Sequence, residues 1–278
     1  MIAVEVPVTS RDGTPLRLRS PVDIRQEIRS DHVREISSEA AQAFIDESTF
    51  LWHQRFELAP GVYTPGANDI GWLLKQTELP MDLSGMSVVD IGATNGAMAF
   101  ECERRGAARV VAVDILGPEH FGFSKLAQLL ESKVEYVDAS VYELADVLKE
   151  TFDVVIFWGV LYHLRHPLLG LDSLRRIAKP NAFVTLETAV CDHSDPNAGS
   201  LARFHRLDDL GADPTNWWSP TIQTLAEWCE SAGFNVTKTV GVPAEAPQRA
   251  VMDLKATDGT PEYLRVSYER PLVVKAIV

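Results

Sequence analysis

Asp90, Gly92, Gly96 and Asp114 are the residues whose type and spacing speak most directly of chemistry. They punctuate Val88-Val-Asp-Ile-Gly-Ala-Thr-Asn-Gly96 and, further on, Val110-Val-Ala-Val-Asp-Ile115. The pattern is an apolar run, a glycine turn, and a second apolar run ending in a carboxylate. Gly92 and Gly96 let the backbone turn tightly and approach a ligand without interference from Cβ, with Ala93 and Asn95 filling the turn between them. Asp114, followed by Ile115, is placed to accept hydrogen bonds from two ribose hydroxyls. This is the signature of a βαβ unit that binds a nucleoside. The turn nevertheless lacks the full G-x-G-x-x-G of a dinucleotide site.

The elements that must position these residues follow a steady rhythm. The spacing predicts a helix from Asn68, then strand 88–91, helix 96–106, strand 109–114, a helix near 120–131 and strand 134–138. A helix near 141–149, strand 153–158, helix 167–178 and strand 182–190 follow. The strands are continuous apolar runs, as in a parallel sheet covered on both faces. Gly106 suits a helix C-terminus. Ser219-Pro220 reads as the N-cap and first turn of a later helix closed by Gly233. Strands 235–242 and 271–278 end the chain as an antiparallel pair, across a polar, turn-rich segment 243–270.

Two regions break the rhythm. Residues 1–67 read as an appendage: a hairpin around Asp12-Gly13, helical spacing over 22–49, and an aromatic loop 50–66 broken by Pro and Gly. That loop, with Trp52 and Tyr63, is a candidate wall over a site. The second is an insertion at about 191–218, longer than most functionless loops, which carries Arg203, His205 and Trp217 as candidate substrate contacts. The domain organisation expected is therefore 1–67 as hairpin, helical appendage and lid, and 68–278 as the binding domain.

At 278 residues, 46% hydrophobic and 23% charged, the chain has the composition of a soluble globular enzyme. A formal net charge of −13 weighs against binding a phosphate backbone, which calls for a basic footprint. Three cysteines are too few for a disulfide framework or a zinc cluster. No leader pattern or membrane-length apolar run is visible. A cytoplasmic protein with no metal and no membrane partner is expected.

With these features in place, the chain resembles a class I S-adenosylmethionine (SAM) methyltransferase. Gly159-Val-Leu-Tyr-His-Leu-Arg-His-Pro-Leu168 narrows the resemblance. It is similar to a segment of the tRNA wobble-uridine 5-oxyacetate synthase family and its relatives. Asp90-Ile-Gly-Ala-Thr-Asn-Gly96, Leu186-Glu-Thr-Ala-Val-Cys-Asp192, Trp218-Ser-Pro220 and Glu269-Arg270 extend it over roughly residues 50–278. The resemblance implies a Rossmann-like α/β fold: a seven-stranded sheet with an antiparallel last strand. It also implies SAM as cofactor, in a pocket lined by Gly92, Asp114, Val141, Tyr142, Trp158, Tyr162 and Arg270. Ser140 lies where this fold commonly contacts the adenine, and Asp90 organises the turn. The wobble enzyme uses a carboxylated SAM derivative held by extra cations upstream of the glycine turn. Here that stretch reads His53-Gln-Arg-Phe-Glu-Leu, with no lysine counterpart, so ordinary methyl transfer is favoured.

A sulfonium is well served by aromatic faces that do not attack it, the role expected of Trp158 and Tyr162. His163, with an ordinary pKa near 6.5, is the candidate general base for a hydroxyl acceptor, and Arg203 and Arg270 could hold an acceptor anion. The leading expectation is methyl transfer to oxygen or nitrogen of a small-molecule acceptor. The alternatives are a tRNA wobble-uridine methyl or carboxymethyl transferase, disfavoured by net charge, a nicotinamide-dependent oxidoreductase, and a non-catalytic protein of the same fold.

Overall fold

The computed structural model describes residues 8–9, 15–16, 35–191, 200–242 and 248–258. Its centre is a seven-stranded sheet. The strands are β1 (Ser87–Ile91), β2 (Arg109–Asp114), β3 (Glu135–Asp138), β4 (Phe152–Trp158), β5 (Ala178–Val190), β6 (Phe234–Val242) and β7 (Gln248–Ala256). Their spatial order is β6-β7-β5-β4-β1-β2-β3. All neighbours pair parallel except β7, which runs antiparallel to both β5 and β6. The strand order reverses at β1 and β4, so a crevice opens beyond their carboxyl ends, where ligands of open α/β sheets bind.

The continuous apolar runs are explained by burial on both faces. Val89, Ile91, Val155 and Phe157 face one core cluster with Leu171, Leu174 and Leu225, from α6 (Pro167–Ile177) and α7 (Ile222–Ser231). Val88, Val154 and Ile156 face the other cluster with Phe100 and Leu126, from α3 (Ala97–Arg104) and α4 (Phe123–Leu130). Each such Val, Ile or Phe contributes roughly 1.5–3 kcal/mol of hydrophobic stabilisation. The second cluster also takes in Leu58, Ile70, Leu73 and Leu83, so the segment before β1 covers this face of the sheet continuously.

Several expectations need correction. β6 pairs with β7 at Gln248–Ala256, inside the stretch expected to be a turn-rich loop, while 271–278, the expected partner, lies outside the described residues. Asp253 disguised this strand as polar: it is buried, and accepts hydrogen bonds from Thr77 Oγ1 and the Glu78 amide, both at 2.6 Å. Ala250, Met252, Leu254 and Ala256 meanwhile enter the core. Ser219 and Pro220 belong to a short strand, Trp218–Pro220, paired with Ala202–Phe204. Thr221 is the true cap of α7, its Oγ1 accepting from the Thr224 amide at 3.2 Å. The helix expected at 141–149 divides into a 3-10 turn, Val141–Glu143, and α5, Leu144–Leu148. In the appendage, Val8 pairs with Leu16 as the hairpin requires, and α1 spans Ser38–Glu47. The helical spacing read over 22–34 falls outside the described residues.

Candidate active site

The crevice begins at the glycine turn. Gly92 has φ +77°, and a Cβ there would lie 2.3 Å from Val160 Cγ2. Gly96 has φ +89°, and a Cβ would meet the Phe123 ring at 2.6 Å. Both positions need glycine for conformation and for space. The Gly92 and Ala93 amides donate to Val113 O at 2.8 and 3.1 Å, so the turn is laid against the end of β2.

Asp114, at the tip of β2, is buried. Its Oδ2 accepts from the Thr94 amide at 3.0 Å and its Oδ1 from the Leu116 amide at 3.0 Å. These two bonds orient the carboxylate and leave each oxygen a second lone pair. Beside it, Thr94 Oγ1 is buried without a hydrogen-bond partner. Ile115 presents an apolar surface that is 69% exposed. An oriented carboxylate, an orphaned hydroxyl and a bare apolar side chain suit a nucleoside with ribose hydroxyls and a flat base.

Other expected cofactor residues are used differently. Asp90 is buried under α3, with Oδ2 accepting from the Ala99 amide at 3.1 Å. Burial raises its pKa to about 7, with Asp114 adding to the effect, so it organises the turn as an acid that takes up its proton near neutral pH. Asn95 is fully buried and entirely committed. Its Oδ1 accepts from the amides of His53 (2.9 Å) and Gln54 (2.8 Å), and its Nδ2 donates to the carbonyls of Leu51 (3.1 Å) and Phe121 (2.6 Å). Its side chain is a clamp between the glycine turn and the segments that flank it. The Trp158 indole packs in the core and its Nε1 donates to Thr185 Oγ1 at 3.0 Å. Ser140 caps the turn holding Val141 and Tyr142, whose phenol accepts from the His166 amide at 3.0 Å.

Among the expected substrate residues, Trp52 stacks in the appendage, 4.7 Å from the Phe50 ring centre, with Nε1 donating to Ser48 Oγ at 2.6 Å. Tyr63 lies at the surface beneath Arg55, 4.4 Å away. His205 is buried in the insertion against Ser219 Oγ at 2.6 Å. Burial lowers its pKa, which favours the neutral ring. Arg203 is exposed on the same short hairpin. Trp217 stacks on Phe204 and beneath Arg165, while its amide donates to Tyr162 O at 2.8 Å. Arg270 lies outside the described residues.

Beyond β4 and β5 lies a cavity of about 190 Å³ lined by Tyr162, Ala189, Leu210, Gly211, Asn216 and Arg249. Burial, with Glu187 nearby, pushes the Tyr162 phenol up to about 12, so it stays protonated. Arg249 Nε lies 3.2 Å from Glu187 Oε1. Glu187 is fully buried, and its oxygens have no hydrogen bond in the structure. His163 stands beside Tyr162, with ring centroids 4.3 Å apart. Its Nδ1 is 2.9 Å from Thr215 Oγ1, which in turn donates to Asp213 Oδ1 at 2.7 Å. A hydroxyl has one proton, so with that proton given to Asp213 it must accept from His163 Nδ1–H. This leaves a lone pair on His163 Nε2. Burial lowers the pKa of His163, opposed by Asp213.

Glu187, Asp213, Thr215, Asn216 and Arg249 were not picked out by sequence reasoning. Glu187 carried a signal, an acid inside the apolar run 183–190. Arg249 lay in a stretch read as loop. Among the described residues no group of three or more metal-binding side chains is gathered, and no helix is long and apolar enough to cross a membrane.

Residues 52–239 match the model of a family described as methyltransferase domain. The chain is 34% identical over 164 residues to the tRNA U34 carboxymethyltransferase of Campylobacter hominis, covering 59% of this chain and 55% of that protein. It is 26% identical over 184 residues to the protein of the same name from Helicobacter pylori, covering 65% and 67%. The chain thus spans little more than half to two thirds of these relatives. The N-terminal domain of EvdMO1, solved with S-adenosylhomocysteine (SAH) bound, superposes with TM-score 0.54 at 18% identity, over 82% of this chain and 99% of that one. The [4+2]-cyclase SpnF superposes with TM-score 0.52 at 14% identity, over 68% and 80%. These two likenesses are of fold.

Proposed function

The chain belongs to the methyltransferase-domain family, and from that premise we propose that it is a SAM-dependent methyltransferase that methylates oxygen or nitrogen of a small-molecule acceptor. SAM supplies an activated methyl group on a sulfonium. Asp114, Thr94, Ile115 and the glycine turn would hold its nucleoside. The protein's remaining work is alignment, worth roughly 7–11 kcal/mol in such displacements, and removal of the acceptor's proton.

The His163–Thr215–Asp213 chain carries the reading. It fixes the imidazole in the tautomer that can take a proton at Nε2, beside a cavity that suits a small acceptor or one ring of it. SAM, when bound, would supply the methyl and retain the electron pair of its carbon–sulfur bond, while His163 Nε2 would take the proton of the acceptor.

An ordinary methyl donor is favoured over a carboxylated one by the segment before the glycine turn. Gln54 gives its side-chain oxygen to the Ala97 amide at 3.0 Å. Arg55 lies against Tyr63, 3.5 Å from Asp69. That segment thus directs no cation into the crevice. In calorimetry, SAM and SAH should bind while the carboxylated derivative binds at least tenfold more weakly. Tighter binding of the carboxylated compound would reverse the assignment.

A second reading, methyl transfer to tRNA uridine, is favoured by the names of the relatives and opposed by the net charge of −13. Incubation with trideuteromethyl-SAM and either undermodified tRNA or a small-molecule extract separates the two. Label in a uridine nucleoside would replace the small-molecule reading, and label in the extract alone would uphold it.

A further inference from the structure

A second histidine stands at the junction of the cofactor crevice and the acceptor cavity. His53 is placed there by a chain of three hydrogen bonds. Its amide donates to Asn95 Oδ1 in the glycine turn at 2.9 Å. Its carbonyl accepts from the Asn68 amide at 3.1 Å. Asn68 Oδ1 in turn accepts from Arg249 Nη1, on the cavity wall, at 3.2 Å. The main chain of His53 is therefore the link between the turn that would hold the donor and the arginine that lines the acceptor space.

The ring of His53 is 6.0 Å from that of Phe121 and only partly withdrawn from solvent. Unlike His163, it has no hydrogen bond among the described residues that commits either nitrogen. The charged and titratable groups that act on it are Arg249 on β7, Asp114 on β2 and His163 beyond β4. The main chain of His53 is tied both to the turn that would hold the donor and, through Asn68, to Arg249 of the acceptor cavity, so this residue stands near the stretch that the donor's sulfur would occupy, because the methyl has to reach from one site to the other.

We propose that His53 faces the donor sulfur and serves as the positioning residue that distinguishes the sulfonium of SAM from the thioether of SAH. The inference rests on the SAM reading above. A neutral imidazole offers its π face and lone pair to the positive sulfur, whereas an imidazolium repels it. The neutral thioether of the product lacks that charge and is indifferent to the change. Partial withdrawal from water, with Arg249 adding to the effect and Asp114 opposing it, lowers the pKa of His53, so the neutral form prevails at physiological pH. Loss of the sulfonium charge on transfer would then weaken the hold on the product from this side chain alone.

The test is calorimetric titration of the whole chain with SAM and with SAH between pH 5.5 and pH 8.5, for wild type, His53→Gln and His163→Gln. Effects common to both ligands cancel in the ratio of the two dissociation constants. In wild type the preference for SAM over SAH should fall about tenfold on acidification. It should become flat in His53→Gln and persist in His163→Gln, while SAH affinity in His53→Gln stays within about threefold of wild type. The imidazole resonances of His53, followed by NMR, should show about tenfold lower proton affinity in the SAM complex than in the SAH complex. A ratio that keeps its pH dependence in His53→Gln, or equal titration of His53 in both complexes, would overturn the proposal. Failure of either ligand to bind the wild-type protein would instead overturn the SAM reading beneath it.

Discussion

The donor side and the acceptor side of the crevice are built in opposite ways. The donor side comes almost entirely from one contiguous stretch, Val88 to Leu116, in which strand, turn, helix and strand succeed one another and Asp114 reaches back to Thr94. The acceptor side is assembled from scattered pieces: Asn68, Tyr162, Glu187, Asn216 and Arg249 come from separate elements, joined through Arg249. Local architecture makes a rigid cradle whose geometry is fixed by backbone conformation. Distributed architecture makes a space whose shape depends on how well distant segments are tied together. The fastener between them is Asn95, which lies in the cradle and grips the appendage that borders the space.

The first way to break this contrast is to cut that fastener. Asn95→Ala removes four hydrogen bonds from a fully buried side chain and should cost about 3–5 kcal/mol, since partners left buried lose more than the net value of a bond. Denaturant titration measures it. A loss below about 1 kcal/mol would mean that the appendage holds to the cradle by packing alone.

Asp90→Asn sharpens the account of the cradle itself. In the native protein Asp90 titrates near 7, above the ordinary carboxylate value, because it is buried. A raised native value means that the native state binds the proton more tightly than the unfolded chain. The stability this contributes is complete below about pH 4 and is lost as pH rises through 7. The amide of Asn accepts the same Ala99 bond and never ionises. Wild type should therefore lose on the order of 3 kcal/mol more than Asp90→Asn between pH 4 and pH 8. Parallel melting curves across that range would show that Asp90 carries its charge without penalty.

The same contrast decides what could be read from residues alone. The parallel strands, the glycine turn and the acidic tip of β2 were legible because each is written in adjacent residues with a fixed period. Gly92 and Gly96 could be identified because no other residue tolerates their positive φ with Val160 and Phe123 so near. The acceptor side was legible only in part. His163 and Tyr162 stood out by type, but Thr215 and Asp213, which set the tautomer of His163, lie within the insertion, Thr215 at 52 positions along the chain from it. Arg249 was hidden by Asp253, whose charge made β7 look like loop until Thr77 and Glu78 were seen to satisfy it. Aromatic residue type alone does not separate pocket wall from core, for a physical reason. Trp52 and Trp158 look like pocket walls by type, yet an indole with a nearby hydroxyl for its N–H packs as readily in a core.

Asp114→Ala tests the donor side with a smaller expected effect. Loss of the carboxylate should weaken SAH binding by about 1–3 kcal/mol, without the much larger fall in stability expected of Asn95→Ala, because the Thr94 and Leu116 amides lie nearer the crevice and can turn to water. Unchanged affinity would reduce Asp114 to a cap for its own loop and move the ribose elsewhere.

The smallest effect separates wall from core at Trp158. Phe in its place keeps an aromatic ring on the same core-facing side of β4, among Val154 and Ile156, and loses only the 3.0 Å bond to Thr185 Oγ1. If the indole is a core residue, Trp158→Phe should cost about 1–2 kcal/mol of stability, because the Thr185 hydroxyl is left buried. SAM affinity should then change by less than about twofold, because the residue meets the crevice through its backbone: the Trp158 carbonyl, not the ring, lies 3.7 Å from where a Cβ on Gly92 would stand. If the ring instead faces the sulfonium, Phe, with its weaker π face, should lower SAM affinity more than SAH affinity and leave stability almost untouched. Chemical denaturation and paired titrations on one variant thus distinguish the two cases by which quantity moves.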